Sequence, residues 1–327
     1  MNAFFRVLLA SAGATAIAAP TFANDIPTIK VGWMVPAEEA KYLMMKRPEL
    51  FPDLGKKYKV EWQQFQGTSP MMQALRAGVL DCSTMAPLSM AQAYLESGLE
   101  SYIVAQHAHE EKGYFSPYWA VKKDSSIKSA KDLKGKVIGT NSYGSGMYFQ
   151  MILWLKQHGL DHEKDVKIVE TGFPPSADAI RTGRVDSGPL VQPFALLAEE
   201  RGDLRPLFAL SEVQSPTVYS FEGCSKAYGD KHPDVVRLYV KDLQRAMGKL
   251  LEDRSLAVTV AAEVTRAPAA LLDKYLFTEK DFTHIATMKP NIDAIQELIT
   301  LQSKAGILTK AVDVTKFVRK DIMAPIE

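Results

Sequence analysis

The chain has 327 residues, of which 46% are hydrophobic and 24% are charged, and its formal net charge is +1. This composition is typical of a globular protein large enough for two domains, and it excludes collagen-like, coiled-coil and disordered chains. The near-zero net charge gives no electrostatic reason to expect nucleic acid or an anionic membrane as partner.

Residues 1–23 have the pattern of a secretory signal peptide. Arg6 precedes the apolar and small residues VLLASAGATAIAA, and the small side chains of Thr21 and Ala23 suit cleavage after Ala23. The run is shorter than the ~20 residues that a membrane-spanning helix requires. We therefore expect the mature protein to be exported to the periplasm.

The first half of the mature chain alternates predicted strands and helices. Strands are predicted at TIKVGWM, KVEWQQF, VLDCSTM and YIVAQHA, and helices at residues 36–47, 71–78 and 88–98. Gly67-Thr68-Ser69-Pro70 supplies a cap and a helix-starting proline for the second helix. This order predicts a parallel sheet with right-handed crossovers.

The same order then starts again. Strands are predicted at KVIGT, DVKIVETG and RVDSGPL, and helices at residues 147–159 and 174–183. SPYWAV (116–121) and PTVYSF (216–221) are predicted to cross between two lobes. From His232 the chain is mostly helical, with an apolar stripe of Val235, Leu238, Tyr239, Leu243, Met247 and Leu250.

A short motif occurs at the same place in both halves. ALRAGVLDC (74–82) and AIRTGRVDS (179–187) share Ala, Arg, Gly and Asp, and each ends a predicted helix and begins a strand. We interpret Arg76, Arg181, Asp81 and Asp186 as structural residues, because arginine suits the last helical turn and each Asp begins a strand. The repeat predicts two similar α/β lobes whose strand ends face a shared cleft.

The predicted domains are a signal peptide at 1–23, a first lobe of 26–117 plus 220–327, and a second lobe of 118–219. In open α/β sheets, ligands bind beyond the carboxyl ends of the strands, where the positive ends of helices are exposed. Two such edges joined by two crossing segments form a cleft that can close on a small molecule.

Two long stretches, QGTSPMMQALRAGVLDCSTMAPLSMAQA (66–93) and VKIVETGFPPSADAIRTGRVDSGPLVQPF (166–194), resemble the periplasmic substrate-binding proteins of bacterial ABC importers for taurine, alkanesulfonates and nitrate. The resemblance covers roughly residues 28–222 and extends more weakly through the C-terminal helices. It implies a two-lobed, hinge-closing α/β fold, a mixed and mostly parallel sheet in each lobe, and delivery of a ligand to a permease driven by an ATPase.

The stretch VGWMVPAEEAKY is similar to that of taurine-binding members, in which an acidic residue faces the substrate amine; Glu38 matches that position. Other positions depart from the family pattern. Met85-Ala86-Pro87 replaces a serine-rich strand end, Val191-Gln192-Pro193 replaces a Trp-containing one, and Tyr219 replaces an aspartate. The departures favour a larger, flatter or more apolar organic anion, a sulfonate or a carboxylate, over taurine.

The candidate ligand-binding residues lie at predicted strand ends and helix starts. Gly67, Thr68 and Ser69 precede one helix and Tyr143, Gly144 and Ser145 another, so both groups offer N–H and hydroxyl donors to an anion. Each group has an alternative role in simple helix capping. The remaining candidates stand at strand ends, near the hinge or at a helix start: Trp33, Pro87, Gln192, Tyr219 and Glu38.

No cofactor or metal is predicted. The loop NSYGSG is neither a Walker loop nor a dinucleotide fingerprint, and the His107-Ala-His109 segment lacks a third metal ligand. Cys82 and Cys224 are the only cysteines. They either form a disulfide, which requires Cα atoms within about 7 Å, or remain apart, with Cys82 a small buried strand residue.

Other functions remain open at this stage. A taurine-binding protein, a protein that binds a pyrimidine or flavin-like heterocycle, and a ligand-binding sensor component all fit the pattern. An exported hydrolase fits less well, because no Gly-x-Ser-x-Gly motif is present. We expect a monomer.

Overall fold

The computed structural model describes residues 26–326, so the predicted signal peptide lies outside the described residues. Its strands are β1 (Thr28–Trp33), β2 (Lys59–Gln64), β3 (Cys82–Met85), β4 (Ser101–Glu110), β5 (Tyr118–Lys122), β6 (Val137–Thr140), β7 (Lys167–Glu170), β8 (Gly188–Leu190), β9 (Leu204–Ala209) and β10 (Thr217–Ser225).

The helices are α1 (Glu39–Lys46), α2 (Thr68–Arg76), α3 (Pro87–Ser97), α4 (Gly146–Gln157), α5 (Ser176–Arg181), α6 (Phe194–Arg201), α7 (Lys226–Lys231), α8 (Pro233–Glu252), α9 (Arg254–Thr265), α10 (Ala269–Leu272) and α11 (Ile292–Lys304). Within residues 26–326, none of these helices combines the length and apolar character needed to cross a membrane.

Five strands form the sheet of the first lobe in the order β2-β1-β3-β10-β4. β1 pairs in parallel with β2 and β3, whereas β10 runs antiparallel to both of its neighbours. The sequence predicted the common direction of β1 to β4 correctly. It did not predict that β10, which lies more than a hundred residues later, would separate β3 from β4.

The second lobe repeats this arrangement. β5 lies between β8 and β9 and is antiparallel to both, and β6 pairs in parallel with β7. A parallel bridge between Ile138 and Ser187 joins these two groups of strands. The resulting order, β7-β6-β8-β5-β9, has the inserted antiparallel strand at the same position as in the first lobe.

The repeated motif has the same structure in both lobes. Gly78 and Gly183 follow α2 and α5 with φ angles of +69° and +77°, a left-handed conformation that glycine adopts readily at the end of a helix. Asp81 Oδ2 accepts a hydrogen bond of 2.8 Å from the backbone N–H of Lys30. Asp186 Oδ2 accepts the equivalent hydrogen bond in the second lobe, 2.8 Å long, from the backbone N–H of Val137.

The chain passes between the lobes twice, at residues 111–117 and 210–216. SPYWAV leads into β5 of the second sheet, and PTVYSF lies in β10 of the first sheet. The predicted boundary between residues 117 and 118 coincides with the start of β5. The predicted boundary between residues 219 and 220 falls inside β10, which begins at Thr217.

The C-terminal helices enlarge the first lobe. α8 begins with Pro233 and buries an apolar stripe, including Tyr239, Leu243 and Met247, in a core shared with α1 and α9. Cys82 of β3 and Cys224 of β10 face each other in adjacent antiparallel strands and form a disulfide, with Cα atoms 3.9 Å apart. The sequence left open whether these cysteines form a disulfide or remain apart, and in the structure they form a disulfide.

Candidate ligand-binding site between the lobes

A small cavity lies where the strand ends of the two sheets face each other. The first lobe contributes Met34, Thr68, Ala86 and Tyr219, and the second contributes Asn141, Ser145, Gly146, Met147, Gln150 and Phe173. The cavity volume is about 20 Å³, which is room for roughly one water molecule. The lobes are therefore closed on each other, and a ligand of several heavy atoms requires them to separate.

On the first lobe, the cavity meets the start of α2. Gly67 precedes this helix and has no side chain to cap it, so the N–H groups of the first turn face the cleft with their partial positive charge. The Thr68 side chain is buried, and its Oγ1 has no hydrogen-bond partner among the described residues. A ligand atom would satisfy both the hydroxyl and the helix end.

On the second lobe, the cavity meets the start of α4. Ser145 caps this helix by accepting a hydrogen bond from Tyr148 N at 3.2 Å, and it donates one to Asn141 Oδ1 at 2.6 Å. Gln150 lies one turn further along α4 and is 3% exposed. Its Oε1 has no partner among the residues described, so this carbonyl oxygen can accept a hydrogen bond from a donor group of a ligand.

The rest of the wall is apolar or aromatic. Tyr219 stacks on Phe282 with ring centroids 4.4 Å apart, and its hydroxyl lies 4.0 Å from Met147 Sδ. Burial, aided by the charge of Glu38, raises the pKa of Tyr219. The hydroxyl therefore remains protonated at neutral pH and is able to donate a hydrogen bond to a ligand.

The side chains that line the cavity, taken over residues 26–326, are all neutral. The first turns of α2 and α4 border the cavity from opposite lobes, and the start of a helix carries a partial positive charge. Such an environment stabilises an anion through N–H and O–H donors rather than through a counter-ion. It provides no carboxylate for a ligand ammonium group.

Three of the predicted site residues, Thr68, Ser145 and Tyr219, line the cavity. Three further ones lie where the lobes touch. A Cβ atom placed on Gly67 would lie 2.5 Å from Ser142 Oγ, and one placed on Gly144 would lie 3.1 Å from Ser69 Oγ. The structure thus brings Gly67, Ser69 and Gly144 to the interface of the closed lobes.

Other predicted residues lie near the cavity without lining it. Pro87 is the buried first residue of α3. Tyr143 is 48% exposed, and its hydroxyl donates to Ile168 O at 2.7 Å. Trp33 packs edge-on against Tyr42 with a centroid separation of 5.9 Å.

Gln192 is buried at the end of β8 and makes two hydrogen bonds within the protein. Its Nε2 donates to Lys280 O at 2.8 Å, and its Oε1 accepts from Leu196 N at 3.2 Å. The first bond joins the second lobe to the C-terminal part of the first. This position makes Gln192 part of the contact between the lobes, with both ends of its amide occupied.

Glu38 belongs to a buried ionic network behind the cavity, which we call the Lys41 network (Glu38, Lys41, Thr84, His107, Glu222 and Tyr239). Lys41 Nζ lies 3.0 Å from Glu38 Oε2 and 2.7 Å from Glu222 Oε2, and all three side chains are fully buried. Lys41 also donates to Gly32 O at 2.9 Å and to Thr84 Oγ1 at 2.7 Å. The network ties the ends of β1 and β3 to β10.

The two carboxyl groups of the Lys41 network differ in acidity. Burial raises the pKa of Glu38 above its usual value, although Lys41 and His107 act against it. Burial also acts on Glu222, but Lys41 and His107 outweigh it and hold the pKa of Glu222 below its usual value. Glu222 further accepts hydrogen bonds of 3.0 Å from His107 and 3.1 Å from Tyr239, so it is the better-stabilised anion.

Several cavity residues were not predicted from the sequence. Met34, and not Trp33, reaches the cavity, because adjacent residues at a strand end point in opposite directions. Gln150 had a usable signal, since it is the polar residue within the apolar run MYFQMILWL. Lys41, which lies behind the cavity and not in its wall, had a signal as well: it follows Glu38 by three positions, on a helix that buries most of its surface. Asn141 and Phe173 lie in loops and had none.

A comparison with solved structures defines the class of fold. The alkanesulfonate-binding protein SsuA from Xanthomonas axonopodis pv. citri, solved bound to MOPS, superposes with a TM-score of 0.71 at 21% identity, over 89% of this chain and 98% of that one. The fold is therefore the two-lobed fold of periplasmic binding proteins.

The chain belongs to the NMT1-like family, whose model matches residues 23–264. A Brachyspira hyodysenteriae protein named as an ABC transporter periplasmic binding protein is 27% identical over 72% of this chain and 68% of its own length. A Bacillus subtilis protein named for binding aliphatic sulfonates is 25% identical over 94% of this chain and 90% of its own length.

Proposed function

We propose that this protein is the solute-binding component of an ABC-type importer, which captures a small organic anion between its lobes and delivers it to a membrane permease. The observation that carries this proposal is the neutral cavity between the starts of α2 and α4, with the unpaired hydroxyl of Thr68 in its wall. The names of the relatives support the transport role and a periplasmic location.

The ligand is a sulfonate or a carboxylate with an apolar or aromatic remainder. The helix starts and hydroxyl groups suit the anionic end, whereas Met34, Met147, Phe173 and Tyr219 suit an apolar end of the ligand. Taurine fits this cavity less well, because its ammonium group requires a carboxylate. Glu38, the candidate for that role, is paired with Lys41 and hydrogen-bonded to Thr84.

Thermal denaturation with a matched ligand series tests the charge requirement. Hexanesulfonate, benzenesulfonate, benzoate, taurine and the neutral methyl phenyl sulfone are compared in a buffer free of sulfonates. A ligand at about 100 times its Kd stabilises the folded protein by about 2.7 kcal/mol. We expect stabilisation by an anionic member and none by the sulfone. Equal shifts with benzenesulfonate and the sulfone, or no shift with any compound, would contradict the proposal.

A matched pair of variants locates the binding. Thr68→Val removes the unpaired hydroxyl at the cavity with little change in volume, and we expect affinity to fall about tenfold. Thr182→Val, at the end of α5 far from the cleft, removes a hydroxyl that bonds Asp178 O at 2.8 Å and should leave affinity unchanged. Equal affinities for the wild type and Thr68→Val would place the ligand elsewhere.

The transport role predicts a permease and its ATPase as partners of a monomeric protein exported after cleavage near Ala23. Ligand-loaded protein should stimulate the ATPase activity of the importer reconstituted in proteoliposomes. A ligand-binding sensor component would bind the same ligands without that stimulation. N-terminal sequencing of periplasmic protein tests the predicted cleavage.

A further inference from the structure

We propose that the contact between Ala86 and Gly146 is the steric stop that limits closure of the lobes, and that it thereby sets the size of ligand that the site retains. Ala86 lies between β3 and α3 of the first lobe, and Gly146 is the first residue of α4 in the second. Both line the cavity. This inference rests on the proposed function as a binding protein and adds a size-determining contact to it.

The contact leaves no space for a second methyl group. A Cβ atom placed on Gly146 would lie 2.5 Å from Ala86 Cβ, whereas two carbon atoms require about 3.5 Å. Neither Cβ atom can move by a side-chain rotation. Gly146→Ala therefore requires the two lobes to separate at this point by about 1 Å. This separation widens a cavity that otherwise has a volume of about 20 Å³.

Both sides of the contact are held in place. Ala86 N donates to Ser89 Oγ at 3.2 Å, and Ser89 Oγ donates to Ala86 O at 3.1 Å, which fixes the start of α3. Ser145 caps α4 immediately before Gly146. Because neither backbone segment is free to yield, the added methyl group acts on the arrangement of the lobes.

A second glycine at the same interface behaves differently. A Cβ atom on Gly67 would lie 2.5 Å from Ser142 Oγ, but this atom is the end of a rotatable side chain, and Ser142 Cβ is 3.5 Å away. The φ angle of Gly67 is 177°, an extended conformation open to any residue. Gly67→Ala is thus accommodated by rotation of Ser142, so a Cβ contact of the same length does not force the lobes apart at this point.

Ala86 offers a reciprocal test. The Cβ atom placed on Gly146 would lie 4.0 Å from Ala86 Cα, an ordinary contact distance. The double variant Ala86→Gly/Gly146→Ala therefore exchanges the methyl group between the lobes without a clash. Rescue by this exchange distinguishes a steric stop from general damage to α4.

Closure is measured without a ligand by an engineered disulfide. The 3.5 Å separation between the added Cβ of Gly67 and Ser142 Cβ lies in the range for disulfides, so Gly67→Cys/Ser142→Cys should cross-link when the lobes close. We expect Gly146→Ala to slow cross-linking about tenfold. Ala86→Gly should restore the rate, and Gly248→Ala, at a helical site with open space, should not change it.

Ligand size is tested with methanesulfonate, hexanesulfonate and benzenesulfonate by calorimetry on the uncross-linked proteins. Gly146→Ala should weaken the smallest bound probe about tenfold and the largest about threefold or less, and Gly248→Ala should preserve the wild-type order. Unchanged cross-linking in Gly146→Ala, failure of Ala86→Gly to rescue it, or equal weakening of all probes would overturn the stop. If the wild type binds no probe, the proposed ligand class fails, while the cross-linking rates still decide the steric inference.

Discussion

The two lobes have the same strand order but different interiors. In the first lobe, the strand ends behind the cavity carry the Lys41 network, in which two glutamates and a lysine are fully buried. In the second lobe the corresponding region is an aromatic stack. Phe208 lies between Trp119 and Trp154, with ring centroids 4.9 Å and 3.8 Å away.

Among the residues described, the carboxyl groups whose pKa is raised by burial belong to the first lobe, whereas surface carboxyls with a lowered pKa occur in both lobes. Burial raises the pKa of Glu39 to about 7 and that of Glu110 to about 7, and both belong to the first lobe. In the second lobe, hydrogen bonds lower the pKa values of the surface carboxyls of Asp132, Asp161 and Asp165. The shared topology therefore positions the strand ends in the same way in both lobes, whereas the electrostatic environment of each interior depends on the side chains of that lobe. We expect the first lobe to be more sensitive to loss of a single polar group and to pH.

The largest expected effect is loss of the disulfide, which occurs in the first lobe alone because the chain has two cysteines. Cys82→Ala/Cys224→Ala opens a covalent loop spanning 142 positions. Loop-closure entropy predicts a loss of about 4–5 kcal/mol in the free energy of unfolding. Urea unfolding measures it, and a loss below about 1 kcal/mol would show that the β3–β10 pairing is stable without the covalent bond.

The next effect is loss of the central cation of the Lys41 network. Lys41→Met leaves two buried carboxyl groups without their ammonium partner, and we expect a loss of about 3–5 kcal/mol in the free energy of unfolding. Lys134→Met is the control in the second lobe, since Lys134 pairs with Asp165 at 3.2 Å and is 73% exposed.

The control should change stability little, because exposed ion pairs contribute little. Adding Glu38→Gln and Glu222→Gln to Lys41→Met should recover part of the loss by removing the unpaired charges. Similar losses for the two lysine variants would show that the interiors of the lobes do not differ in this way.

The pH dependence of stability provides a third test. The pKa of Glu39 is about 7 in the folded protein and 4.5 ordinarily, so between these values the folded state holds a proton that the unfolded state has released. Stability from this group is fully present below about pH 4.5 and is lost as the pH rises to about 7, on the order of 3 kcal/mol.

Glu39→Gln should make the decline between pH 5 and 7.5 in urea unfolding less steep, and the part that Glu110 contributes should remain. Asp161→Asn is the control in the second lobe. Hydrogen bonding lowers the pKa of Asp161, so its contribution is lost only in more acidic solution. An equally steep decline in Glu39→Gln and the wild type would assign the pH dependence to other groups.

The smallest expected effect concerns the hydrogen bond made by the aspartate of the repeated motif, which occurs in both lobes. Asp81→Ala and Asp186→Ala each remove the acceptor of a 2.8 Å hydrogen bond, donated by β1 in the first lobe and by β6 in the second. We expect similar losses of about 1–2 kcal/mol in the free energy of unfolding. Losses that differ strongly would mean that the repeated motif has different roles in the two lobes.

The prediction of site residues shows where sequence patterns stop being informative. Thr68 and Ser145 were predicted from helix-start signals, which also determine where those residues point. Trp33 was predicted from its place at a strand end, where a shift of one residue reverses the side-chain direction. Gln192 was predicted as a ligand-binding residue from its place at a strand end, but its amide donates to Lys280 O, which is 88 positions away.

The sequence by itself determined the local features: the helix ends at Gly78 and Gly183, the strands of each half except β9, and the repeated motif that indicates two lobes. These depend on neighbouring residues, so a short window contains the cause. Only the tertiary structure decided that β10 separates β3 from β4, that Cys82 meets Cys224, and that Glu38 pairs with Lys41 behind the cavity. Those contacts depend on segments brought together by burial, and their partners are set by the packing of the whole lobe.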